Sequence, residues 1–460
     1  MVSAAAAYLK GKQALAKASA LASRQKRIRI AAPQGGSYPQ NTLASNGTTQ
    51  TSGTDRIICQ LNSDYAWIAP VVFNSSPASG SGIMTSPGNA VTIRMAIEQG
   101  GTTTPRIVQF NTSTLAAVSS GGKTGHIIGD GEYLIGKPCR RGVMLKNSYQ
   151  VFRFYKTVSA GQKWPLTYGF GNYNQIDAST SGNSGTTDQA SGTTVTTGAD
   201  LTYTGSVTFG AFASSTYYWA PAFIIGEQLT PAVTTLIVGD SVSAGFGDKA
   251  GRGYLVRALE QAGMTGQYLN CGIPASVVTN LTQNQEIPQL AADYVDYILW
   301  HQISNDFNTG VITDLAGAQA AVLSVCQNLL RSHSQIGIGT CLPRTTTTDA
   351  GATYTGQTKL AWEPLRISYN NWLRDKTPNG AKAWLNARIK VGSVFAIFDA
   401  CPYVERNADG SAIVLDANGQ QAAGTGGFFV AGKSTDATHP NSELAAIAAA
   451  AVPTGLMVLP

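Results

Sequence analysis

Apolar and polar positions alternate along Val91-Thr92-Ile93-Arg94-Met95-Ala96-Ile97-Glu98, which puts Val91, Ile93, Met95 and Ile97 on one face of a strand. Val207-Thr208-Phe209-Gly210-Ala211 repeats that period. Further strands are expected at 56–61, 65–72, 106–110, 142–145, 149–155 and 217–225, separated by clusters of Gly, Pro, Ser and Asn. No helical period interrupts them between residues 30 and 229, so this stretch predicts an all-β, sandwich-like domain of antiparallel strands. Residues 177–200 are almost entirely Ser, Thr, Gly and other small polar residues, and are expected to form a long exposed loop.

From residue 230 the period changes. Short apolar strands are expected at 234–238, 267–271, 294–300, 335–341 and 394–399. Helical patterns fall between them, at 253–262 and 276–292, and a last helix is expected at 443–452. Leu315, Ala318, Val322, Val325 and Leu329 share one helix face, and Leu365, Tyr369 and Trp372 mark another. Five strand–helix alternations predict an α/β domain over 230–460, a doubly wound parallel sheet of flavodoxin-like order. In such sheets ligands sit beyond the carboxyl ends of the strands.

The first 29 residues form a third segment, Ala-rich with Lys and Gln between, and predict a helix with little apolar bulk (Tyr8, Leu9, Leu15, Leu21). Composition changes the picture mainly here. The net charge is +6, yet Lys10, Lys12, Lys17, Arg24, Lys26, Arg27 and Arg29 supply +7, which leaves 6 − 7 = −1 for the remainder. The basic excess therefore belongs to a tail, and a nucleic-acid-binding face is not expected. The tail is read as an assembly segment, for a homo-oligomer or partner chains, whose deletion would leave the chemistry intact. No run of 18 apolar residues occurs, so no membrane span is expected. Lysines at 10, 12 and 17 break up the start, which does not read as a signal peptide. With 43% hydrophobic residues the chain of 460 can fill sizeable cores. The six cysteines (59, 139, 271, 326, 341, 401) contain no Cys-x-x-Cys pair and are read as free buried thiols in preference to disulfides, not as metal ligands. Cys341 and Cys401 each follow an expected strand and could lie close together. No metal or cofactor is expected.

The candidate chemistry sits at the strand exits. An apolar run stops at Gly239-Asp240-Ser241, and Asp436-Ala437-Thr438-His439-Pro440 precedes the last helix. A hydroxyl at a strand exit and a histidine with a carboxylate three residues ahead are the parts of acyl transfer through a serine nucleophile. Gly272 follows the second strand and Asn305-Asp306 the third, so all these positions fall at one sheet edge. The order of these blocks resembles that of the GDSL esterases, also called SGNH hydrolases, over roughly residues 233–455. Asn370-Asn371-Trp372-Leu373-Arg374 resembles the helix that family members place before strand five. The resemblance implies Ser241 as nucleophile, His439 as general base and then acid, and Asp436 as its orienting partner. It implies an oxyanion hole of the Ser241 and Gly272 N–H groups and the Asn305 side-chain amide.

Two positions depart from the family pattern. Ile303 stands two residues before Asn305, and Ala275 in the second block; the family usually has Gly at both. A bulky Ile303 could narrow the site or tilt Asn305. The expected activity is hydrolysis of small acyl esters, O-acetyl groups on a carbohydrate polymer among them, with the β-rich domain binding or presenting the polymer. The combination also resembles bacteriophage virion proteins. The alternative is an inert structural or adhesive virion protein that keeps the esterase fold.

Other residues divide between structural and functional readings. His301 is read as a satisfied structural histidine or a pocket-lining one. Asp248, Tyr254 and Arg344 are read as solvated groups or substrate contacts at the active edge. Trp164 and Trp219 are read as core packing or a glycan-stacking surface. His126 and His333 are read as surface residues.

Overall fold

The computed structural model describes residues 27–32, 52–77, 83–98, 105–117, 124–139, 142–165, 184–186, 219, 221–248, 252–390 and 392–459. The expected N-terminal helix, apart from its last three residues, and the expected strand at 207–211 lie outside them.

Two antiparallel sheets come first. Strands β1 (Ile28–Ala32), β2 (Ser52–Gln60), β3 (Tyr65–Phe73), β4 (Val91–Ile97), β5 (Arg106–Val108), β6 (Leu115–Ala117), β7 (Thr124–Ile128), β8 (Tyr133–Ile135), β9 (Tyr149–Thr157), β10 (Ser184–Thr186) and β11 (Phe223–Gln228) build them. One sheet has the order β1-β11-β3-β8; the other has β10-β2-β9-β4-β7-β6, with β5 also on β4. The β4 alternation does what its sequence dictates. Val91, Ile93, Met95 and Ile97 are fully buried, with Met95 and Ile97 opposite Phe154 and Phe152 of β9, while Thr92 and Arg94 are half-exposed. Ser184–Thr186 pairs with β2 inside the stretch expected to be loop. The expected strand at 142–145 is reduced to a single bridge, Met144 with Tyr65.

The parallel sheet follows, from β12 (Thr235–Gly239), β13 (Tyr268–Gly272), β14 (Tyr297–His301), β15 (Gln335–Gly339) and β16 (Val394–Phe398). Its order is β13-β12-β14-β15-β16, the expected flavodoxin-like order. Every residue of β14 is buried, as the unbroken aromatic and branched run Tyr-Ile-Leu-Trp requires of a central strand covered on both faces. Covering helices include α1 (Gly253–Gln261), α2 (Val278–Asn284), α3 (Glu286–Ala291), α4 (Ser304–Thr309), α5 (Leu315–Leu329), α6 (Glu363–Arg374) and α7 (Ser442–Ala448). The helix expected over 276–292 is two helices broken at Gln285, which leaves helical angles (φ −121°, ψ 84°) and donates from Nε2 to Ser276 Oγ at 2.9 Å. Pro288 then falls in the first turn of α3, where its missing N–H costs nothing.

The two halves are joined by a buried charge. Asp296, at the threshold of β14, accepts Arg27 Nη2 at 2.7 Å, Arg29 Nε at 2.9 Å and the Thr234 N–H at 3.0 Å. Ile28 and Arg29 thus belong to strand β1, not to a free tail, and two of the seven tail cations are structural.

Candidate active site

The exit of β12 is strapped to its neighbours before any side chain reaches solvent. Gly239 leaves no room for a Cβ, which would lie 2.0 Å from the His301 carbonyl and 2.2 Å from Ser243 Oγ. Beyond it the chain folds into a tight turn, with Val242 N–H donating to Asp240 Oδ1 at 3.0 Å and Ala244 N–H to Asp240 O at 2.9 Å. The Ser243 hydroxyl donates to His301 O at 2.8 Å, and Asn270 Nδ2 to Ser243 O at 2.9 Å. Ser304 Oγ donates to Asp240 Oδ2 at 3.2 Å. Neighbouring strand exits thereby fix Ser241, whose own side chain stays half-exposed.

The Asp436–His439 loop meets that turn. Ala437 is left-handed (φ 54°), which bends the loop so that Asp436 faces back on His439. Asp436 Oδ1 accepts the N–H of Thr438 at 3.0 Å and of His439 at 2.9 Å, and Oδ2 lies 2.5 Å from His439 Nδ1. The other ring nitrogen, Nε2, is 2.7 Å from Ser241 Oγ, across 198 residues of sequence. Partial burial works to raise the Asp436 pKa, but the hydrogen bonds from His439 and Thr438 outweigh it and hold the carboxyl well below the usual carboxylate range. The carboxylate is therefore charged whenever the imidazole takes a proton. Asn441 caps α7 through Oδ1, which accepts the Leu444 N–H at 3.0 Å, so helix lead-in and candidate triad share one loop.

The donors expected at the oxyanion differ in how free they are. Gly272 N–H is not free, since it donates to Asn270 Oδ1 at 2.9 Å. The glycine is needed for packing: a Cβ there would lie 2.4 Å from Ala244 N. Three residues on, Ala275 is exposed and left-handed (φ 61°), and its N–H has no partner among the described residues, nor does that of Ser241. Asn305 lies beside this segment and donates from Nδ2 to Ser276 O at 3.1 Å, with its second Nδ2 proton unspent. Asp306 is completely buried and accepts the Val278 N–H at 3.0 Å, so the third-strand exit carries both a donor and the anchor of the second-strand loop. Ile303 is fully buried at φ 106°, a conformation that is strained for a β-branched residue. It keeps the backbone bend a glycine would give there, and Asn305 still reaches the Ala275–Ser276 segment.

The remaining candidates separate cleanly. Asp248 caps α1 by accepting the Gly253 N–H and pairs with Arg257, both of its oxygens 2.6 Å from the guanidinium. Tyr254 is buried and packs edge-on to His301 with ring centroids 5.5 Å apart, so neither Asp248 nor Tyr254 is available to a substrate. His301 is buried beneath the site, not satisfied as expected: neither ring nitrogen makes a hydrogen bond of good geometry. Burial depresses its pKa and leaves the ring neutral. His126, expected at the surface, is buried against Phe110; His333 is exposed. Trp164 and Trp219 are core residues. Cys139, Cys271, Cys326, Cys341 and Cys401 are buried free thiols, and Cys401 Sγ donates to Cys341 O at 3.3 Å. Arg344 alone of the three edge candidates reaches the site, and donates from Nη1 to Asn305 Oδ1 at 3.1 Å.

A flavodoxin-ordered sheet with a hydroxyl–imidazole–carboxylate line at its carboxyl edge is an arrangement fit for acyl transfer. Among solved structures, a family two carbohydrate esterase from Cellvibrio japonicus is 13% identical, with 94% of this chain and 96% of that one covered and a TM-score of 0.31. A carbohydrate acetylesterase from Sinorhizobium meliloti is 13% identical over 47% of this chain and 95% of its own, with a TM-score of 0.31. A member of the lipolytic G-D-S-L family from Veillonella parvula is 17% identical over 48% and 99%, with a TM-score of 0.29. No protein-family model matches the chain, and no curated protein matches it.

Proposed function

We propose that this chain is a serine esterase that hydrolyses small acyl esters, O-acetyl groups on carbohydrate among them. The observation that carries the reading is the continuous line from Ser241 Oγ through His439 to Asp436, at 2.7 Å and 2.5 Å. Ser241 Oγ attacks the ester carbonyl while His439 Nε2 takes its proton. The carbonyl oxygen becomes an oxyanion, held by the N–H groups of Ser241 and Ala275 and by Asn305 Nδ2; Gly272 leaves the donor set and Ala275 enters it. Collapse of the intermediate breaks the C–O bond to the alcohol, which leaves with the proton from His439. Water then attacks the acyl-serine, gives a proton to His439, and the acid departs as Ser241 regains its hydrogen. Each oxyanion donor contributes ~3 kcal/mol to lowering the barrier.

Hydrolysis of p-nitrophenyl acetate and acetate release from acetylated glycans, by the natural chain and by Ser241→Ala, test the reading. The natural chain is expected to turn both over and Ser241→Ala to lose about four orders of magnitude or more in kcat. Equal inertness of the two proteins on every substrate would favour a structural protein on an esterase fold.

A further inference from the structure

Arg344 carries a charge that no carboxylate among the described residues balances. Its neighbours in the α/β half show the contrast. Arg252, Arg257, Arg331, Arg366 and Arg374 each pair with a carboxylate, Arg388 stacks on Trp384, and Arg406 donates to carbonyls. Arg344 is half-buried and has no carboxylate partner among the described residues. It is also held in place. Asn370 clamps Cys341 from both sides, accepting its N–H at 2.8 Å and donating to its carbonyl at 2.8 Å. Thr345 N–H donates to Ala437 O at 3.1 Å, inside the Asp436–His439 loop. The segment from Cys341 to Thr345 is thus fixed at both ends, with Arg344 set between the Asn305 amide and the candidate triad. A guanidinium has five N–H donors, and Asn305 Oδ1 takes one. The others can form the two parallel bonds that suit a carboxylate.

The structure assigns Arg344 as a specificity-determining residue that receives a substrate carboxylate beside the scissile ester, so that the favoured substrates are anionic esters. This rests on the esterase reading and narrows it. The carboxylate could belong to the alcohol, as in an O-acetylated uronic acid, or to the acyl group, as in a succinyl ester. Both present the same anion to the same fork.

Two measurements test the assignment. The first is kcat/KM at low salt for two pairs of substrates: O-acetylated glucuronic acid against O-acetylated glucose, and mono-p-nitrophenyl succinate against p-nitrophenyl acetate. The natural chain is expected to favour the anionic member of one pair by about tenfold or more, the worth of a charge-assisted pair of hydrogen bonds. Arg344→Gln is expected to bring that ratio close to unity. It also slows the neutral member, because the guanidinium steadies Asn305; the ratio is therefore the readout. The pair that responds identifies which side bears the carboxylate. The second measurement needs no turnover: binding of glucuronate and succinate to Ser241→Ala and to Ser241→Ala/Arg344→Gln, with glucose as the neutral control. At least one anion is expected to bind the first protein measurably and the second about tenfold or more weakly. Turnover without anionic preference, or an unchanged ratio in Arg344→Gln, overturns the assignment and leaves the esterase reading standing. Inertness toward all four esters with Arg344-dependent anion binding overturns the esterase reading and leaves an anion site. Anion binding that ignores Arg344, or no binding at all, overturns the assignment on its own.

Discussion

Asp306 accepts the Val278 N–H at 3.0 Å with no exposure to solvent, and so ties the exit of β14 to the loop that carries Ala275. Burial raises its pKa to about 7, against the hydrogen bonds from backbone amides that lower it. The folded state therefore keeps a proton that the unfolded chain releases near pH 4. Stability from this group is full below that point and falls as pH rises through about 7. Asp306→Asn keeps an acceptor for Val278 and removes the titration. Urea unfolding at about pH 5 and about pH 8 is expected to show the natural chain losing on the order of 2–4 kcal/mol more than the variant. An identical pH dependence in both would contradict this assignment of the buried proton.

Asn305→Ala removes an amide that bonds Ser276 O and has a proton to spare. It is expected to lower kcat by about 10²–10³ with little change in KM, the signature of a donor used mainly in the transition state. A purely structural Asn305 would show instead as a lowered melting temperature with the specific activity of the folded fraction kept.

Ile303 and Ala275 hold positive φ, at 106° and 61°, without being glycine. Ala275→Gly relieves a left-handed methyl at an exposed site and is expected to change stability by no more than ~1 kcal/mol, with turnover retained. Ile303→Gly relieves strain of about 1–3 kcal/mol. It also deletes a fully buried side chain, worth about 2–5 kcal/mol, so the net effect is destabilising. Chemical unfolding of the two variants checks the ordering.

The Asp296 clamp distinguishes two truncations of the expected assembly segment. Chains beginning at residue 27 keep Arg27, Arg29 and β1; chains beginning at residue 30 lose both guanidinium partners and strand pairs with β11. The second truncation is expected to unfold at a lower temperature than the first. Asp296→Ala, which leaves two part-buried cations without their carboxylate, is expected to cost on the order of 1–3 kcal/mol.

Where the sequence could be read, the reason was local. The run Tyr297–Trp300 and the alternation at 91–97 announce a central strand and a half-buried one because burial on two faces or one sets their period. Ser241, His439 and Asp436 were legible because the two blocks are short and fall at strand or helix boundaries. Pro288 is a visible signal against one long helix over 276–292. Ala275 was harder. Its proposed part rests on a backbone angle and on an N–H without a partner among the described residues, while Gly272 donates its N–H to Asn270. The Arg27–Asp296 and Arg344–Asn305 contacts join residues 269 and 39 positions apart, and no periodicity records such a meeting.

In the proposed esterase His439 activates the Ser241 hydroxyl. The most direct measurement is covalent trapping with a small fluorophosphonate, followed by mass mapping of the peptides. One adduct per chain is expected, on Ser241, formed rapidly by the natural protein and at least about a hundredfold more slowly by His439→Ala. A natural chain that stays unlabelled, or that is labelled equally fast without His439, would contradict it.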